Sequence, residues 1–87
     1  MPQNCWYVYI LRCNDDTLYA GCAINPQERL QKHNRGVASK YTRSRLPVQM
    51  VYSETLPDRG SALRREKAIK ALSRREKLLL ISEAEKK

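Results

Sequence analysis

Eighty-seven residues, with 17 Lys and Arg against 9 Asp and Glu, give a net charge of +8 and a pI near 9.8. A chain of this length makes one domain with a modest core, and its charge excess points to a polyanion partner, nucleic acid before an anionic membrane surface. No run approaches the roughly 18 apolar residues of a membrane span, no signal peptide precedes the first strand, and the expected location is the cytoplasm.

The first element is a strand. Trp6, Val8 and Ile10 alternate with Tyr7, Tyr9 and Leu11, the period of two that puts alternate side chains on opposite faces. Asn14-Asp15-Asp16 has turn chemistry, and Thr17 to Cys22 reads as the return strand of a hairpin. With those three residues as the loop, Cys13 faces Thr17 and Tyr9 lies opposite Gly21. Tyr9 and Tyr19 then share a face as diagonal neighbours, beside a space that Gly21 leaves open. Cys5, Cys13 and Cys22 form no Cys-x-x-Cys pair and are odd in number, so neither a disulfide framework nor a zinc knuckle is expected.

Asn25-Pro26-Gln27-Glu28 opens a helix that runs to about Arg35 and stops at Gly36: Asn25 caps, Pro26 suits the first position and Glu28 completes a capping-box-like pattern. Arg29 and His33 are four apart on it and share a face, a fixed cation beside a group that titrates near neutrality. Val37 to Pro47 reads as a basic loop. In it Lys40, Arg43 and Arg45 interleave with Tyr41, a pattern suited to phosphate contacts and a stacked base. Val48 to Ser53 is a third strand.

A second helix follows Pro57-Asp58-Arg59-Gly60-Ser61 and runs to about Leu72, with Ala62, Leu63, Ile69 and Leu72 as its apolar face. Glu66 interrupts that face. A carboxylate aimed at a core is costly unless it is paired, here with Lys70 at i+4, or holds a cation such as Mg²⁺, which takes one carboxylate and keeps water and phosphate. Arg64, Arg65, Lys67, Lys70, Arg74 and Arg75 make a positive helical surface, and Ser73 with Glu76 caps a third helix. The expected order is ββαβαα, a single α+β domain with one three-stranded antiparallel sheet flanked by helices and a core over about residues 5–82.

Tyr7-Val8-Tyr9 within "YVYIL" and Tyr19-Ala20-Gly21 within "LYAGC", followed by Arg29, His33 and Glu66 in order, resemble the GIY-YIG nuclease superfamily, and within it the small stand-alone bacterial proteins. The resemblance covers about four fifths of the chain. It implies a metal-dependent endonuclease acting on DNA, with RNA as the alternative, and one Mg²⁺ or Mn²⁺ ion. On that reading Tyr9 activates water, Tyr19 hydrogen-bonds at the phosphate, Arg29 holds a non-bridging oxygen, His33 relays a proton and Glu66 anchors the ion; the two phenol roles are exchangeable.

Tyr7 in place of the first glycine, Ala20 in place of a larger aliphatic, Cys22 where relatives carry Lys, Ser or Thr, and no amide near Leu78 depart from the pattern. They bear on catalytic efficiency more than on the fold. Lys40, Tyr41, Arg43, Arg45 and Lys70 are the expected nucleic-acid contacts. Phosphate contacts carry no sequence information, so selection by strand structure is expected. The rival readings are a nucleic-acid-binding module that keeps the fold without catalysis, and a basic protein that docks to a larger nucleoprotein.

Overall fold

A computed structural model describes residues 5–86. In chain order it has β1 (Trp6–Arg12), β2 (Leu18–Ala23), α1 (Pro26–Asn34), α2 (Lys40–Arg43), β3 (Gln49–Leu56), α3 (Arg59–Lys70) and α4 (Arg74–Glu85). The strands form one antiparallel sheet in the order β2-β1-β3. This is the expected α+β architecture with one addition, the single turn α2, inside the segment that reads as loop.

The hairpin fixes the register on which the site depends. Cys13 N–H donates to Thr17 at 2.9 Å, Asp16 N–H donates to Cys13 at 2.9 Å, and Asp16 takes φ 68°. This is the three-residue connection closed by a left-handed residue, which Asp tolerates better than most. Tyr9 therefore pairs with Gly21, and Leu11 with Tyr19.

The central strand is buried on both faces. Val8, Ile10 and Ala20 pack with Ala62 and Ile69 of α3 and Ile81 of α4, while Tyr9, Leu11, Cys13, Ala23 and Val48 gather on the other face with Tyr19 and Leu30. Leu63, expected in the apolar face of α3, is instead 44% exposed. Ala62 and Ile69 are both fully buried, and their spacing turns the intervening Leu63 outward.

The caps follow their chemistry. Asn25 accepts from Glu28 N–H at 3.1 Å, although the Glu28 carboxylate turns to Lys32 Nζ at 3.7 Å instead of closing a box. Ser73 and Glu76 form a full capping box. Asn34, the last residue of α1, bonds both backbone groups of Val48: its amide donates to the carbonyl at 3.1 Å and its oxygen accepts from the N–H at 2.8 Å. That pair ties α1 to the entry of β3. No helix among the described residues is long and apolar enough to cross a membrane.

Candidate active site

Four side chains from three elements meet on the α1 side of the sheet. Tyr9 comes from β1, Tyr19 from the edge strand β2, and Arg29 and His33 from one face of α1. Tyr9 is 2% exposed and its Oη lies 3.1 Å from His33 Nε2. The Tyr19 ring meets the imidazole edge-on, 5.3 Å between centroids, and Tyr9 does so at 6.0 Å. The expected open space beside Gly21 is filled by the Tyr9 ring itself. A Cβ at position 21 would stand 2.6 Å from Tyr9 Oη. Glycine is present at 21 because the phenol lies against its backbone.

Burial pushes the Tyr9 phenol above its ordinary value; Tyr19 adds to this, Arg29 opposes it, and Cys22 and Glu66 reinforce it. Tyr9 is thus a neutral phenol near neutral pH. Burial, then the Arg29 charge, holds His33 below the ordinary imidazole value, so its ring is neutral as well. A neutral imidazole bonded to a neutral phenol is a pair in which one proton can move from oxygen to nitrogen. The other ring nitrogen, Nδ1, lies 2.9 Å from Thr42 Oγ1. Thr42 is fully buried, and nothing in a run of basic loop residues marks it; the available signal is Ser39, a capping residue placed to start a short helix.

Of the two alternatives for Glu66, the structure forms the pair with Lys70. The Glu66 side chain is 17% exposed on the inner side of α3, and it pairs with Lys70 Nζ at 2.8 Å. That contact raises the Lys70 value above its ordinary one. Burial and the neighbouring Glu66 carboxylate push the Cys22 thiol up to about 11, so Cys22 stays a neutral thiol. No group of three or more His, Cys, Asp or Glu stands ready as a metal cage among the described residues. A partly buried carboxylate suits an ion that takes one protein ligand and completes its shell with water and phosphate, so the donor chemistry fits Mg²⁺ or Mn²⁺ in that mode.

The basic segment adjoins this cluster. Tyr41 stacks on Tyr19, with centroids 5.7 Å apart and planes at 26°, and the Arg45 guanidinium lies over the Tyr41 ring at 4.0 Å. Arg45 also donates to Asp15 at 3.0 Å and to the Tyr41 carbonyl at 2.8 Å. Tyr41 thus has Tyr19 and Arg45 as ring neighbours, and Arg45 binds the segment to the hairpin loop. Lys40 and Arg43 are exposed and form no ion pair among the described residues. Lys70 Nζ lies 5.9 Å from the Tyr19 centroid, at the border of the same surface. Beside Arg29 a groove of about 380 Å³, lined by Trp6, Ile24, Asn25, Glu28 and Lys32, opens to solvent.

The profile of the GIY-YIG catalytic domain matches residues 5–78, the stretch that carries Tyr9, Tyr19, Arg29, His33 and Glu66. The chain belongs to the GIY-YIG family, whose domain is typical of endonucleases.

Within that family its relatives are UPF0213 proteins. That of Syntrophus aciditrophicus is 50% identical over 84 residues, covering 95% of this chain and 94% of its own. That of Staphylococcus saprophyticus is 49% identical over 77 residues, covering 88% and 94%. The solution NMR structure of the Bacillus halodurans UPF0213 protein superposes with a TM-score of 0.58 at 41% identity, covering 90% of this chain and 83% of its own. A solution NMR structure of an E. faecalis protein gives 0.63 at 34% identity, covering 95% and 88%.

Proposed function

We propose that this protein is a metal-dependent endonuclease that hydrolyses phosphodiester bonds in DNA and selects strand structure over base sequence. The observation that carries the reading is the buried hydrogen bond between Tyr9 Oη and His33 Nε2 at 3.1 Å. A neutral phenol is a weak base on its own, but it need not ionise first. As the Tyr9 oxygen accepts a proton from the attacking water, its own proton passes to His33 Nε2. The imidazolium so formed is disfavoured by burial and by Arg29, so its proton returns to the Tyr9 oxygen as Tyr9 passes one on to the leaving oxygen, and the proton taken from water ends on the released hydroxyl.

Arg29 binds a non-bridging phosphate oxygen, and Tyr19 donates a hydrogen bond to the phosphate from the neighbouring position. The bond to His33 favours Tyr9 over Tyr19 as the group that activates water. Glu66 would hold one Mg²⁺ or Mn²⁺, which supplies Lewis-acid stabilisation of charge on the leaving oxygen. Lys40, Tyr41, Arg43, Arg45 and Lys70 form the nucleic-acid side of the site, with Lys40, Arg43 and Lys70 reaching phosphates and Tyr41 and Arg45 shaping the surface that carries them.

The second reading, a binding module without turnover, draws on the Glu66–Lys70 pair, since a carboxylate held by an ammonium is less available to a cation. One experiment separates the two. Labelled single-stranded, nicked and branched DNA is incubated with the protein in Mg²⁺ and in Mn²⁺, beside Tyr9→Phe and Glu66→Gln. The parent protein cuts, whereas both variants bind in chelator without cutting. A Glu66→Gln protein as fast as its parent removes the metal assignment, and salt-sensitive binding without any cutting leaves the binding module.

A further inference from the structure

We infer that Thr42 is a positioning residue of this site: its hydroxyl holds His33 in the Nδ1–H tautomer, which leaves Nε2 unprotonated and aimed at the Tyr9 phenol. Tyr9, His33 and Thr42 are 2%, 1% and 0% exposed, so their polar atoms must find partners in one another. Two proton arrangements are conceivable. In the first, Tyr9 O–H donates to Nε2, Nδ1–H donates to Thr42 Oγ1, and the Thr42 hydroxyl donates to the Ser39 carbonyl at 3.4 Å. All three hydrogens are then used.

In the reverse arrangement Thr42 donates to Nδ1 and Nε2–H donates to the Tyr9 oxygen. Thr42 then has no hydrogen left for the Ser39 carbonyl, and the phenolic hydrogen faces no other acceptor among the described residues. Three bonds against two decide for the Nδ1–H form. Only in that form can the imidazole receive the Tyr9 proton, because an Nε2 that already carries hydrogen has no lone pair to accept one.

The position of Thr42 is itself explained by the short helix. Ser39 caps α2, accepting from Tyr41 and Thr42 N–H at 3.1 and 3.4 Å, and its carbonyl receives Arg43 N–H at 3.0 Å. This turn points Thr42 inward at His33, while the preceding residue, Tyr41, stacks on Tyr19. A segment whose composition suggests only a phosphate-binding loop thereby sets the proton position in the site.

His33 is the one histidine of the chain, so nitrogen NMR of uniformly ¹⁵N-labelled protein at pH 7.5 reads this ring alone. In the parent protein Nδ1 carries the hydrogen and Nε2 has the shift of an unprotonated ring nitrogen. Thr42→Val moves the population toward Nε2–H, and Thr42→Ser restores it. The inference rests on the proposed nuclease reading only in its kinetic arm: kcat for Thr42→Val falls about 10–100-fold, as for other groups that orient a catalytic imidazole, with KM changed less than twofold and Thr42→Ser near the parent. A parent spectrum with hydrogen on Nε2 overturns the inference whether or not Thr42→Val folds. A tautomer that ignores Thr42→Val overturns it too, as does a tautomer shift that leaves kcat unchanged. Absence of cutting by the parent protein would count against the nuclease reading, while the spectrum would still decide the tautomer.

Discussion

The buried imidazole makes stability depend on pH in a defined direction. Burial first, and Arg29 second, lower the folded-state value of His33 below the ordinary value of about 6.5. Above both values the ring is neutral whether the chain is folded or not, and it contributes nothing. As pH falls through about 6.5 the unfolded chain takes up a proton that the folded chain refuses, so stability declines until pH reaches the lower folded value. The gap in Tm between the parent and His33→Gln, measured from pH 7.5 to 5, should therefore shrink on acidification. A gap independent of pH would show that the ring ionises alike in both states. Gly21→Ala tests the same pocket sterically. The new methyl displaces the Tyr9 phenol from His33, at a cost of about 1–3 kcal/mol, read by urea denaturation and by the ring ¹⁵N shifts. At this scale strand and helix periods made two pairs legible, Tyr9 with Tyr19 and Arg29 with His33, and the family resemblance joined the pairs into one site. Thr42 was not legible, because its partner is nine residues away across a turn that no periodicity announces.

The order of the longer elements was readable from caps and patterning, but β3 runs on to Leu56, three residues past the expected Ser53, and α3 begins at Arg59, inside the expected turn, and ends at Lys70. Asn25, Asp58 and Ser73 each accept the backbone bond of an N-cap. The turn α2 escaped a reading based on composition because four residues are too few for a periodic signal. What the elements themselves do not show is how they are fastened. Asn34 illustrates this: its side chain takes the place of a strand partner for Val48, bonding both the N–H and the carbonyl. Asn34→Ala leaves both backbone groups short of a partner and should cost about 1–3 kcal/mol. Asn34→Asp keeps the acceptor and removes the donor, and should fall between. Urea midpoints for the three proteins check the ranking, and equal midpoints would mean that water replaces the amide without loss.

Over the whole molecule, the excess of +8 is not evenly available to a polyanion. Of the six basic residues on the expected helical surface, Arg65, Lys70 and Arg74 are paired with Glu54, Glu66 and Asp16. Arg65 reaches Glu54 at 2.6 Å, and that bond with a second from Tyr52 outweighs burial in lowering the Glu54 value. Arg65 and Arg74 serve the fold first, and Lys70 divides its charge between Glu66 and the Tyr19 surface. Lys40 and Arg43 have no carboxylate partner among the described residues, and the turn that carries them adjoins Tyr19 and His33. Electrostatic binding to nucleic acid should therefore depend on these two more than on the larger helical cluster. Replacing both with Ala should weaken binding to all sequences alike. It should also flatten the dependence of log K on log salt by roughly 0.7–0.9 for each phosphate no longer neutralised. Arg45→Ala should behave differently, because that side chain anchors the segment to Asp15 and covers Tyr41, so its removal lowers Tm as well as affinity. Fluorescence anisotropy in chelator, over a salt series and with oligonucleotides of unrelated sequence, reads both effects. An unchanged slope in the Lys40→Ala, Arg43→Ala protein would place the nucleic acid on another face.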